Sequence, residues 1–290
     1  MKNSLIFTAA LAAIAMAGTS AHAAIATVAS WSFDAGGAIA APYNTPAATG
    51  GALAGTAQAT QLGMTNNYTF NNNEGPGSIA WCDVLASAGA STGAGAFGWR
   101  VRGPSNAGGL GAGQSNGWNS AAPIATQGAA FAADTTGFTN INVSFDINVT
   151  TQAERNLALL YTLDGGTTWT DVTTLTAGSQ GAVFNNSSSP NTISGEYYQL
   201  STTAPGWNNA ISASIPGAGG NPNFAIEIVN ASTGADDVNG AGNPLNNSSG
   251  NWRYDNVIIS GTATTPAPEP ASLALLGLGA VGLISRRRRA

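Results

Sequence analysis

Basic side chains are nearly missing from this sequence. Only 8% of its 290 residues are charged, and the only lysine and the only histidine are Lys2 and His22. An ordinary globular domain carries about 25% charged residues. A middle region with no lysine and few arginines cannot meet phosphates in number, which excludes nucleic acid as a partner. Without a histidine beyond position 22 there is no Ser-His-Asp or Cys-His centre, and no histidine-based zinc or copper site. A P-loop lysine is absent, as is a GxGxxG opening a helix, so nucleotide cofactors are not expected. Cys82 is the single cysteine. It excludes an intramolecular disulfide and, beside Trp81, reads as a small buried hydrophobe, with an intermolecular bridge as the alternative. Wholesale disorder fits poorly too, because 43% of the residues are hydrophobic.

What is present begins with two addresses. Residues 1–23 read as a secretory signal peptide. Lys2 supplies the positive start, Leu5–Ala17 the apolar stretch, and Ala21-His22-Ala23 the small-residue site, with cleavage between Ala23 and Ala24. Residues 263–290 form a second three-part signal. Pro266, Pro268 and Pro270 stiffen its start, the apolar run Ala271–Ile284 follows, and Arg286, Arg287, Arg288 and Arg289 come last. As a helix the apolar run spans about 21 Å, short of the ~30 Å hydrocarbon core. The arginines should stay on the cytoplasmic side.

Pro268-Glu269-Pro270, the apolar run and the arginine cluster together resemble the PEP-CTERM sorting signal of exported bacterial proteins. The resemblance implies transient recognition by an exosortase, a membrane transpeptidase or protease. It also implies residence in the inner membrane before processing, then delivery to the envelope, cell surface or extracellular matrix of a Gram-negative-type bacterium. A retained C-terminal membrane anchor is the alternative.

Between the signals lies an exported domain, 24–262. It holds thirteen acidic and four basic residues, a net charge of −9, which disfavours anionic partners and permits neutral glycans and divalent cations. Ile141, Val143, Phe145, Ile147 and Val149 alternate with polar residues, as in a strand with one wet face. Leu157–Leu163 and Trp169–Leu175 flank the turn residues Asp164-Gly165-Gly166. Further strands are expected around Ala24–Phe33, Phe224–Ile228 and Val257–Ile259. No helical period of useful length appears between the signals. The expected fold is all-β, a single β-sandwich of jelly-roll or carbohydrate-binding-module type. A signal helix and a C-terminal hydrophobic helix would flank it. Long Gly/Ala/Asn-rich loops are expected at Ala35–Thr60, Ser87–Ala96, Pro104–Gln127, Thr176–Ser194 and Gly217–Asn223.

Four groups of residues could carry function. Trp118 and Trp207 sit near glycines and asparagines, where an indole can stack on a sugar while amides bond its hydroxyls. Asp236 and Asp237, with Asn239, offer hard oxygens for a structural Ca²⁺, and Asp34 with Asp255 would do so if the terminal strands pair. Glu154, Glu196 and Glu227 are the candidate carboxylates for a glycosidase, and that chemistry needs two of them about 5–10 Å apart. Thr162 to Trp169 resembles an Asp-box hairpin, which implies that Asp164 braces the turn and Trp169 packs on it. Trp31, Trp169 and Trp252 are expected to fill the core. No catalytic residue is assigned. The expected function is a non-catalytic cell-surface or matrix protein that interacts with exopolysaccharide. A secreted glycosidase using two carboxylates is the alternative.

Overall fold

A computed structural model describes residues 23–33, 45–63, 98–101, 118–176, 183–187, 193, 195–200, 207–245, 250 and 252–264. The signal helix, the hydrophobic tail, Asp34 and Cys82 lie outside the described residues. Ala23 and Ala24 are exposed chain preceding the first strand. The residues Ala26–Gly261 form one compact unit. Ala23–Ile25 and Thr262–Thr264 belong to a second unit, within which the Ala263 amide donates to the Ala24 carbonyl at 3.1 Å.

Among the described residues the architecture is all-β, with one short 3-10 turn at Gly234–Asp236. The strands are β1 (Ile25–Trp31), β2 (Gln58–Leu62), β3 (Trp99–Val101), β4 (Gly128–Ala132), β5 (Phe138–Val149) and β6 (Asn156–Thr162). They continue with β7 (Thr170–Asp171), β8 (Val183–Ser187), β9 (Gly195–Gln199), β10 (Trp207–Ser214), β11 (Ala225–Asn230) and β12 (Trp252–Ala263). One sheet runs β1-β12-β5-β10, with β3 also on β12. The larger sheet runs β2-β4-β11-β6-β9-β8, with β7 also on β6. The two antiparallel sheets pack as in a β-sandwich.

The period-2 pattern explains which face is inside. In β5 the side chains of Ile141, Val143, Phe145, Ile147 and Val149 are all buried. In β11 Ile226 and Ile228 enter the same core, which leaves Ala225, Glu227 and Val229 on the opposite face. Phe131 of β4 sits at the centre. Its ring lies edge-on to Trp31 at 5.2 Å, to Trp99 at 6.0 Å and to Tyr254 at 5.8 Å, so the larger sheet meets three aromatics of the smaller one. Each large apolar side chain so buried contributes about 1.5–3 kcal/mol. The Tyr254 hydroxyl satisfies itself on the Ile228 carbonyl at 3.2 Å, and burial holds its pKa well above the usual phenol range.

Several sequence expectations are corrected. The polar face of β5 is not uniformly wet: Asp146 and Asn148 are buried. Asp146 accepts hydrogen bonds from the Ala210 amide at 2.7 Å and the Asn256 amide group at 3.0 Å. It thereby pins the bulge in β10, where Ala210 takes φ 58°. Two expected loops contain strands, β2 starting inside 35–60 and β8 lying within 176–194. The segment before β2 binds the free edge of β1, with Leu53 donating to Val28 and the Ser30 and Gly50 backbones bridged. That contact closes an edge that would otherwise invite pairing with another chain.

Candidate functional site

The outer face of the larger sheet is paved with small residues. Register puts Gln58, Ala132, Ala225 and Thr162 in one row across β2, β4, β11 and β6. The neighbouring row is Thr60, Ala130, Glu227, Leu160 and Asp171. Because directly opposed residues point to one side of a sheet, each row shares a face. With so little side chain on Ala130, Ala132 and Ala225, the surface sinks into a groove of about 510 Å³. Trp169 forms part of its wall, and Gln58, Asp134 and Asn223 supply polar groups.

The hairpin from Thr162 to Trp169 builds that wall. Asp164 accepts from the Thr168 hydroxyl at 2.6 Å, the Thr168 amide at 2.9 Å and the Thr162 hydroxyl at 2.7 Å. These donors hold its carboxyl down to about 2. Gly165 and Gly166 take φ of 73° and 91°, which side chains with a Cβ adopt rarely. The Trp169 ring lies 3.7 Å from where a Cβ on Gly166 would stand. The ring also packs against the outer-face cluster of Ala158, Leu160, Val229 and Ala231. Asp164 therefore braces the turn as expected, but Trp169 is half-buried on the groove rather than in the core.

Glu227 stands beside this groove between Ala130 and Leu160. Burial against apolar neighbours pushes its carboxyl up to about 7. Across Leu160 lies Asp171, on the same face and two strand spacings away, about 10 Å between backbones. Glu154 is elsewhere: it precedes Asn156, which lies four residues, or about 13 Å, before Leu160 along β6. Glu154 and Glu227 thus cannot act on one bond. The side chain of Glu196 lies outside the described residues.

Glu154 belongs to a buried polar cluster at the start of β6. Its Oε1 accepts from the Asn156 amide at 2.5 Å and from the Ser232 hydroxyl at 3.4 Å, while Oε2 is buried with no hydrogen-bond partner. The Ser232 hydroxyl also lies 3.3 Å from Asp237 Oδ1, and Asn156 Nδ2 donates to Ser232 Oγ at 2.9 Å. Burial raises the Asp237 carboxyl to about 8. Asp236 takes part through its backbone carbonyl, which accepts from Asn156 at 3.2 Å.

The remaining expected sites fall as follows. Trp118 and Trp207 are corrected: they are 0% and 1% exposed, so neither presents an indole face for a sugar to stack on. Trp118 packs on Trp252 with ring centres 4.2 Å apart, and Trp207 opens β10 with its ring tip against Gly98. The terminal strands do pair, and buried Asp255 accepts from the Phe33 amide at 3.2 Å. Its expected partner Asp34 lies outside the described residues, as do the sorting residues Pro268 to Pro270 and Arg286 to Arg289. Sequence reasoning missed Asp171, Trp169 as a groove wall, and the meeting of Glu154 with Asp237. The last two carboxylates are 83 positions apart, brought together by the isolated bridge between Glu154 and Asn239.

The comparisons bear on the C terminus. No curated protein and no solved structure matches the chain. Residues 266–289 match the family model described as the PEP-CTERM protein-sorting motif. Proteins with this motif are exported and associated with the cell surface, and the motif implies processing by an exosortase. Behind the all-β domain, then, the chain carries a C-terminal PEP-CTERM sorting motif, and it is an exported protein sorted through the exosortase system.

Proposed function

We propose that this protein is a non-catalytic component of the cell surface or extracellular matrix that holds exopolysaccharide in the groove beside Trp169. The groove itself carries the reading: an alanine floor lets a flat ring approach the sheet, a half-buried indole stands at one wall, and amide and carboxylate groups are in reach of hydroxyls. The net charge of −9 on the exported region favours a neutral glycan over an anionic one. Strand order supports the jelly-roll form of the sandwich. With β2, β3, β7 and β8 set aside, the order is β1-β12-β5-β10 over β4-β11-β6-β9, two sheets of four with the first and last strands adjacent.

Co-sedimentation of the full chain with the producer's own exopolysaccharide tests the proposal. Retention is expected, and Trp169→Ala should weaken it about tenfold or more, the size of an aromatic anchor. Retention unchanged by that substitution would remove the groove from consideration.

The glycosidase reading is favoured by one observation, the placement of Glu227 and Asp171 across Leu160 with the Glu227 carboxyl pushed up to about 7, so that a sizeable share keeps its proton near neutral pH. Such an acid could protonate a leaving group. Glu227→Gln separates the two readings. A binding protein keeps retention and shows no turnover in either form, whereas an enzyme releases reducing ends and loses that release in the variant.

A further inference from the structure

We propose that Glu154 and Asp237, with the Ser232 hydroxyl between them, form a Ca²⁺ site that ties the start of β6 to the turn after β11. Two carboxylates meet there inside the protein, 0% and 2% exposed. Their shared donor is one hydroxyl at 3.4 and 3.3 Å, a long contact to each, and Glu154 Oε1 has the Asn156 amide besides. The second observation is Glu154 Oε2, fully buried and without a hydrogen-bond partner. A buried, unpartnered carboxylate oxygen is costly unless a cation meets it. The neighbouring cation does not offer its Nε, because Arg155 directs that group to the Leu200 carbonyl at 3.2 Å.

The chemistry of the donors selects the ion. Every group in the cluster that could coordinate is an oxygen: two carboxylates, the Ser232 hydroxyl and the Asp236 backbone carbonyl, while the Asn156 side chain turns its Nδ2 to the cluster and its carbonyl to Gln199. Among the described residues no three carboxylate, cysteine or histidine side chains gather. A cation here would therefore take two charged ligands and complete its shell from neutral oxygens and water. Ca²⁺ accepts six to eight oxygens in flexible geometry, while Mg²⁺ demands a near-ideal octahedron. This site differs from the sequence expectation, since Asp236 contributes its backbone and Glu154 replaces it as a side-chain ligand. It stands apart from the glycan groove, and either can fail alone.

Tb³⁺ luminescence gives a test with its own antenna. Trp252 donates its Nε1 to the Glu154 carbonyl at 2.7 Å, and Trp118 packs against Trp252. The full-length chain, stripped with chelator and titrated with Tb³⁺ under indole excitation, should show sensitised emission that saturates at a single equivalent. Ca²⁺ should displace it at concentrations where Mg²⁺ does not. Glu154→Gln and Asp237→Asn should each weaken Ca²⁺ at least about tenfold. No Ca²⁺ uptake by the natural chain in calorimetry overturns the proposal. So does Tb³⁺ bound without sensitised emission, and so do folded variants that bind as the natural chain does. If a variant fails to fold, the natural-chain titration decides alone.

Discussion

Strand β6 has an acidic group near each end, and the two are held in opposite ways. Asp164, just past its C-terminal end, is exposed, and donors from Thr162 and Thr168 surround it. Glu154 and Asp237, near its N-terminal end, are buried and share one distant hydroxyl. The first carboxyl is pulled down to about 2, while that of Asp237 is pushed up to about 8. Residue type is the same; the supply of donors and water differs. A satisfied acid shapes a turn, whereas an unsatisfied one asks for something to bind.

The comparison breaks most visibly at Ser232. Ser232→Ala removes the acceptor of Asn156 and the hydroxyl shared by both carboxylates. A loss of about 1–3 kcal/mol is expected, the cost of leaving buried polar groups unmatched, measured by urea unfolding. Glu154→Gln unfolding more easily than Ser232→Ala would show that charge, not the hydroxyl, holds the cluster.

A pH profile in chelator sharpens the contrast. Asp237 rises from 3.8 to about 8 and Glu227 from 4.5 to about 7 on folding. In that window the folded state binds more protons than the unfolded chain, so stability falls as pH rises from about 4 to about 8. Asp164 acts with the other sign. Its contribution is present above 3.8 and is lost as pH falls through about 2. Thermal unfolding should therefore be highest near pH 4 to 5. Glu227→Gln should flatten only the part of the decline between 4.5 and 7.

The smallest effect is expected at the hairpin. Asp164→Asn keeps the shape and loses the charge that receives the Thr168 amide and hydroxyl. Amide exchange at Thr168 should quicken, with a small loss of global stability above about pH 4, because solvent weakens the bonds of an exposed carboxylate. Exchange that stays slow would mean that the glycines alone hold the turn.

Much of the fold was legible because it rests on local rules. The alternation in β5, the turn glycines after Thr162 and the pairing of first and last strands all follow from pattern or topology. Exposure was not legible in glycine-rich stretches. Trp118 and Trp207 have loop-like neighbours, yet both rings are covered, since burial is decided by what packs over a residue rather than by its sequence neighbours. The groove was hidden for a related reason. Ala130, Ala132 and Ala225 are unremarkable until β2, β4, β11 and β6 set them side by side. The Glu154–Asp237 meeting also needed a long-range contact, the bridge between Glu154 and Asn239, because nothing near either residue signals the other.

The bond from Ala263 to Ala24 has a mechanical consequence. In an antiparallel pair the rungs lie across the strands. Tension applied between those two residues therefore loads the rungs singly, starting with this one, and β1 would peel from β12 like a zipper. A chain held through one end alone never feels that load, and the β1–β12 seam stays out of the line of force.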